Sequence, residues 1–287
     1  MTTTQHDDSK GLPQILVTGG TGKTGSRVAE RLRAAGLPVR IGSRRAEIPF
    51  DWEDPATWDA ALAGVQAAYV AYQPDLAVPG ALATVTAFFD RALAAGVRRL
   101  VLLTGRGENE ALEAEQALQA LTGRVEWTIL RASWFFQNFD EGFFLEAIRG
   151  GEIAIPVGPV AEPFVDVEDI ADIAFAALTG PGHGGKVYEI TGPEALTFAE
   201  VAATFSAGLG REVRFTWIPA EHFSAGMQQA GVPEETVELI LYLFGTVLDG
   251  RNTPLADGVQ LALGRKPRRF ADYVRRTAAT GVWGGAS

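Results

Sequence analysis

Cysteine is missing altogether from the 287 residues, which excludes disulfides and thiolate chemistry without fixing a compartment. Histidine is nearly as scarce. The three present, His6, His183 and His222, stand at no metal-ligand spacing from one another and read as solvated loop residues, so no metal is expected. Positive charge is in deficit, with 25 Lys and Arg against 35 Asp and Glu. The net charge of −10 argues against nucleic acid or an anionic membrane as partner, since both require a basic face. No apolar run approaches the roughly 18 residues of a membrane span. The first dozen residues lack the apolar segment of a signal peptide, so residues 1–13 are expected to form a disordered tail and the protein to be cytoplasmic.

Glycine, by contrast, is plentiful, and one cluster of it organises the chain. Ile15-Leu16-Val17 has the composition of a buried parallel strand, and Val28, Leu32 and Ala35 mark a helix. Between them lies Thr18-Gly19-Gly20-Thr21-Gly22-Lys23-Thr24-Gly25. Strand, glycine-rich turn and helix together form the context in which such a run binds a dinucleotide. Gly19 allows the tight turn, Gly22 lets backbone approach a pyrophosphate, and Gly25 lets helix and strand pack closely. The helix N-terminus, with Thr21, Lys23 and Thr24, then faces the phosphates.

A second strand at residues 38–42 ends in Ser43-Arg44-Arg45, with no acidic residue between Glu30 and Glu47. An acid here would hold a ribose 2′-hydroxyl, whereas arginines accommodate a 2′-phosphate, so NADP(H) is expected over NAD. Residues 48–51 read as a short third strand that brings Asp51 and Trp52 to the adenine. Further strands are expected at 67–71, 98–104 and 125–131, and helices at 55–64, 79–95 and 109–121. Tyr72 and Gln73 follow one strand and Thr104 ends another, the positions where open α/β sheets bind ligands. The alternation predicts an α/β fold, a doubly wound parallel sheet of Rossmann type over residues 14–150, with a smaller mixed cap over 151–287 and some cap segments returning to the sheet.

Beyond Arg131 the sequence turns aromatic: Trp134, Phe135, Phe136, Phe139, Phe143 and Phe144 crowd one stretch. Their even spread around a predicted helix makes some core and lets others, among Trp134, Phe135, Phe136 and Phe139 with Asn138, wall a flat apolar cavity. Residues 164–170 read as a strand entering a helix that runs to 178. A late strand is expected at 187–191, and Thr197 with Glu200 spells a capping box. A further strand is expected at 213–218. The run 237–244 reads as core, and the last helix, near 269–277, as a surface element.

Several stretches together resemble the NmrA-like, atypical short-chain dehydrogenase family: residues 18–25, 98–104, 127–131 with Asn138, 164–171, 188–198 and 263–270. Residues 50–58 and 134–139 narrow the likeness to the festuclavine dehydrogenase-like branch of ergot alkaloid biosynthesis and its bacterial relatives. The resemblance implies binding of NADP(H) and reduction of an iminium, quinone or related unsaturated group in a small apolar organic substrate. The chain departs from short-chain dehydrogenases in one respect. None of its five tyrosines is followed four residues later by lysine, so the pair that shuttles a proton is missing. An iminium ion needs no protein acid, whereas a simple ketone does. Thr104 takes the place of the family's Ser or Thr, and Glu115 that of its glutamate, read as a solvated or helix-pairing residue. With Thr104, Asn138 and Tyr72 are the remaining candidates for polar contacts at the reacting centre. Two other readings stay open: an NADP-binding redox sensor without turnover, and a non-redox enzyme such as a cyclase or epimerase. Either a monomer or a homodimer suits the composition.

Overall fold

Five apolar strand segments of the first half and one of the second meet in a single sheet. The computed structural model describes residues 13–284, so the expected tail, except for Pro13, lies outside the described residues. Strands β1 (Gln14–Thr18), β2 (Val39–Gly42), β3 (Val65–Val70), β4 (Arg99–Gly105), β5 (Glu126–Ala132) and β8 (Lys186–Ile190) pair in parallel in the order β2-β1-β3-β4-β5-β8. Successive side chains of a strand point to opposite faces, so each strand feeds two cores. Leu16, Ala68, Leu100 and Ile129 pack with Trp58 and Leu62 of α2 (Trp58–Leu62), Phe88 and Phe89 of α3 (Ala81–Ala94) and Leu118 of α4 (Asn109–Gln119). Ile15, Val17, Val101 and Leu130 pack with Val28 and Leu32 of α1 (Lys23–Ala34) and Ile170 and Ile173 of α6 (Val167–Thr179). Each of these large apolar side chains contributes roughly 1.5–3 kcal/mol by leaving water.

The strand expected at residues 48–51 does not form. Pro49 has no N–H to give a ladder, and the next donors are used locally: Phe50 N–H bonds to the Ser43 carbonyl at 3.0 Å and Asp51 N–H to Thr57 Oγ1 at 3.0 Å. Edge strand β2 therefore gains no neighbour there. The sixth strand comes instead from β8, delivered after the long excursion that contains α6. Residues 164–166 likewise make only a single bridge, Val165 to Phe135, before Asp166 caps α6 by accepting from Glu168 N–H.

The second half builds a third core, dominated by aromatics. It includes Phe136, Phe139, Phe144 of the segment leading into α5 (Leu145–Gly150), Phe198 and Phe205 of α7 (Phe198–Leu209), and Phe270 and Tyr273 of α11 (Phe270–Ala278). Two small sheets frame it: β6 (Glu152–Ile155) parallel to β10 (Arg214–Trp217), and β7 (Ala161–Glu162) antiparallel to β9 (Leu196–Thr197). The last helix docks through a wholly buried face, and its Tyr273 hydroxyl donates to Asp140 at 2.7 Å. Helix α8 (Ala220–Gln229) leads into α9 (Glu234–Tyr242), and α10 (Gly258–Leu263) packs on β8. The apolar run 237–244 is less buried than expected: Val237 and Phe244 are inside, and the intervening apolar residues are half-buried. No helix among the described residues is long and apolar enough to cross a membrane.

The capping box is present. Thr197 Oγ1 accepts from Glu200 N–H at 3.2 Å, and Glu200 Oε2 accepts from Thr197 N–H at 2.8 Å. Thr197→Ala is expected to cost about 1 kcal/mol, read as a lower urea midpoint at unchanged slope.

Candidate active site

The crevice is set by the end of β1. Thr18 Oγ1 accepts from Ala71 N–H at 2.9 Å and reaches the Tyr69 and Ala71 carbonyls at 3.2 Å, which ties β1 to the end of β3. Connections leave these neighbouring strands toward opposite faces, the switch point where open sheets bind ligands. Gly19 then turns the chain at φ +59°, a conformation that disfavours a side chain. At Gly25 a Cβ would overlap the Gly19 carbonyl, so the start of α1 can lie against the turn only without one. Helix α1 opens at Gly22 with no side-chain cap and no acid in its first turn. Its N-terminus keeps the positive dipole end for a ligand. A Cβ at Gly22 would meet the Gly19 carbonyl at 3.3 Å and the Gln73 amide nitrogen at 3.4 Å, a narrow cradle of backbone with Gln73 at its edge.

At the end of β2, Ser43 holds a tight turn through bonds from Ala46 and Phe50 N–H. Arg44 and Arg45 project from this turn, exposed and without an ion pair among the described residues. Asp51 is spent on its own loop, accepting from Glu53 N–H at 3.1 Å, while its carbonyl receives Trp58 Nε1 at 2.7 Å. Trp52 is buried and belongs to the sheet-side core. Its ring lies 4.9 Å from Phe50, 5.1 Å from Phe88 and 5.0 Å from Tyr72, so it supports Tyr72 from behind instead of offering an open face.

Next to the glycine turn opens a cavity of about 300 Å³ at the carboxyl ends of β3, β4 and β5. Tyr72, Thr104, Trp134, Phe135, Asn138 and Lys23, all singled out in the sequence, meet on its walls. Burial lowers the Lys23 pKa from the ordinary lysine range. Phe136 and Phe139 do not reach it. The aromatic stretch is not a continuous helix: Trp134 and Phe135 are extended and bridged to Val165, and one tight turn, Phe136–Asn138, follows. Trp134 and Phe135 precede the turn and line the cavity, and the turn carries Phe136 and Phe139 away from it into the aromatic core.

Two polar residues sit differently than the sequence implies. Glu115 is neither solvated nor paired along its helix. It is buried, accepting from Thr104 Oγ1 at 2.7 Å and from Arg131 Nε at 2.9 Å and Nη2 at 2.5 Å. The Thr104 proton is thereby committed, and toward the cavity its hydroxyl acts as an acceptor. His183 is half-buried, with Nδ1 2.9 Å from the Tyr188 hydroxyl.

Sequence reading missed Asp75, Glu108 and Ser133, which also line the cavity. Ser133 is 3% exposed, its hydroxyl beside the Glu162 carboxyl. Behind it, burial pushes the Glu162 carboxyl up to about 7. From above, Leu243 reaches the cavity where α9 loosens into a wider turn, Leu248 N–H bonding to the Leu243 carbonyl at 3.0 Å. No group of three or more His, Asp or Glu among the described residues is arranged to hold a metal ion.

The chain matches the NmrA-like family over residues 13–253. The NAD(P)H azoreductase of Xenophilus azovorans is 33% identical over 285 residues, covering 92% of this chain and 98% of the relative. The agroclavine dehydrogenase of Claviceps fusiformis is 31% identical over 290 residues, covering 91% and 96% respectively. Among solved structures, the triphenylmethane reductase of Citrobacter sp. complexed with NADP(H) has a TM-score of 0.74 at 23% identity, over 92% of this chain and 99% of its own, a likeness of fold.

Proposed function

We propose that this chain, which belongs to the NmrA-like family, is an NADPH-dependent reductase of an apolar cyclic or aromatic metabolite with an iminium, quinone or enone group. The observation that carries the assignment is the continuity of glycine turn and cavity: Lys23 opens α1 and also lines the cavity. A diphosphate at the helix start would put the rest of the cofactor within reach of the cavity that Tyr72, Thr104 and Trp134 line. The names of the azoreductase and the agroclavine dehydrogenase support the same class of reaction.

NADPH, when bound, supplies hydride; the protein supplies place and surroundings. The turn and the first N–H groups of α1 would hold the diphosphate, and Arg44 and Arg45 would hold the 2′-phosphate. Thr104 Oγ1, its proton given to Glu115, accepts from a carboxamide or a substrate donor. Tyr72, Trp134 and Phe135 offer flat apolar surface that orients a planar acceptor and keeps water out. In this reading residues 14–150 bind the cofactor, and the later chain closes over the acceptor through Leu243. An iminium acceptor becomes a neutral amine without a protein acid, which accommodates the absence of a Tyr-x-x-x-Lys pair.

The test is oxidation of NADPH, followed by its absorbance, on a panel of cyclic iminium salts, quinones and enones. Turnover of none of them by folded protein that binds NADPH would defeat the assignment. Replacing Arg44 and Arg45 together by alanine is expected to raise KM for NADPH about 10–100-fold while leaving NADH unchanged, since charge-assisted bonds to a phosphate are worth roughly 1.5–3 kcal/mol. Equal effects on the two nucleotides would contradict the 2′-phosphate role.

A further inference from the structure

The cavity has an acidic wall that hydride transfer to an iminium does not use. Asp75, in the loop after β3, and Glu108, at the start of α4, both line it, and each carboxyl lies close enough to shift the other. Two carboxyls sharing a buried site cannot both ionise cheaply, which favours keeping one proton between them. The backbone makes room for the pair. Gly105 lies beneath the Glu108 carboxyl, where a Cβ would overlap it, and Asp75 is fixed by Ala77 N–H donating to its Oδ1 at 2.9 Å.

The surroundings favour retention of that proton. Glu108 is 7% exposed and makes no ion pair among the described residues. Glu110 of α4 adds a negative charge, its carboxylate accepting from the Tyr242 hydroxyl of α9 at 2.9 Å, with Arg251 beyond Tyr242. Arg106 is directed elsewhere, to the carbonyls of Asn252 and Pro254. Burial, then the charge of Asp75, pushes the Glu108 carboxyl up to about 9. On the same cavity, the Ser133 hydroxyl, beside the Glu162 carboxyl, is a second polar group within reach of a ligand.

We propose that Glu108, sharing one proton with Asp75, is the general acid of this site and protonates neutral acceptors as they are reduced. The inference rests on the reductase assignment above. For an enone, hydride from the reduced nicotinamide forms the new C–H bond at the β-carbon, and the π electrons move to the carbonyl oxygen. The Glu108 O–H bond breaks, its electron pair staying on the carboxylate, and the proton forms O–H on that oxygen. The nicotinamide is oxidised, the enone is reduced, and the carboxylate pair regains its proton from water. The pair thus does for a neutral acceptor what the missing tyrosine does elsewhere.

Glu108→Gln separates this role from others, because Asp75 keeps the negative charge while the acidic proton is lost. Single-turnover reduction of a cyclic enone is expected to fall at least about 100-fold, with a cyclic iminium salt slowed less than about threefold. NADPH affinity, by calorimetry, should be unchanged. Independently of turnover, the infrared spectrum of cofactor-free protein at neutral pH should carry a protonated-carboxyl band that Glu108→Gln removes. In wild type, enone reduction should decline as pH rises through about 9, and Asp75→Asn should move that decline to lower pH. An unimpaired enone rate, equal loss on both acceptors, or no carboxyl band would overturn the acid role alone. A wild type that binds NADPH but reduces neither acceptor would overturn the reductase assignment and the acid role with it.

Discussion

Gly25→Ala is expected to weaken NADPH binding about 100-fold or more while the protein stays folded. The added methyl would overlap the Gly19 carbonyl and stand 3.0 Å from Gly20 Cα, and both obstacles are backbone. Nothing flexible can give way, so α1 must shift off the turn that its N–H groups complete. Overpacking of this kind costs about 1–3 kcal/mol of stability. The larger effect is on binding, since a displacement of about 1 Å at a positioned site costs on the order of 100-fold. Gly22→Ala is the comparison: its backbone, at φ −89°, suits any residue, and its Cβ would meet neighbours at 3.3 and 3.4 Å. That variant should keep near-normal stability and lose affinity only by filling the cradle. Calorimetric titration beside a thermal melt separates the two. Gly25→Ala binding NADPH within threefold of wild type would contradict the proposed phosphate seat.

The second large effect is expected at Glu115. Its carboxylate, 2% exposed, holds the Thr104 hydroxyl and two nitrogens of Arg131. Arg131 also bonds to Glu189 at 2.7 Å, so it bridges β5 and β8 as well as the helix above them. Glu115→Ala leaves a guanidinium, about one-fifth exposed, with half its partners, and a buried hydroxyl with none. Breaking a buried pair from one side costs about 3–5 kcal/mol, and the lower figure applies because Arg131 keeps Glu189. A loss near 3 kcal/mol corresponds to roughly 5 °C in Tm for a chain of this size. Glu115→Gln, which still accepts from Thr104, should lose less. A melt of Glu115→Ala within 1 °C of wild type would show that the pair is not a structural tie.

The parts of the fold legible in the sequence are those in which local pattern and tertiary role coincide. Strand β1, the glycine turn and α1 are contiguous, and each glycine meets its constraint within a few residues. The same holds for the Thr197–Glu200 cap. Residues 48–51 mislead because an apolar pattern does not show that the N–H groups after Pro49 are taken up within their own loop, leaving none to pair with the free edge of β2. Strand β8 is readable as a strand, but its place beside β5 depends on a crossover that composition does not display. The aromatic stretch misleads in another way: it is not one helix but extended chain followed by a tight turn at Phe136–Asn138, and that turn takes Phe136 and Phe139 into the core and leaves the cavity to Trp134 and Phe135.

The cavity's polar residues were the least legible. Asp75 and Glu108 belong to separate loops, and an acid opening a helix ordinarily looks like a solvated partner of its dipole. Only the fold brings the two together and buries Glu108, with Asp75 half-buried beside it. The one local signal is Gly105-Arg106-Gly107-Glu108, two glycines flanking an arginine where a helix is about to start. Their purpose becomes clear once Glu108 lies over Gly105 and Gly107 abuts Asn252. Glu115 reads as solvated for a similar reason, since its partner Arg131 sits on the neighbouring strand.

The central claim is that the turn and the start of α1 seat the diphosphate of NADPH with its 2′-phosphate against Arg44 and Arg45. Titration of the purified, folded chain with NADPH and with NADH in a calorimeter tests it most directly. The expected result is saturable heat at one site per chain, tighter for NADPH than for NADH. Absence of heat with both nucleotides would contradict it.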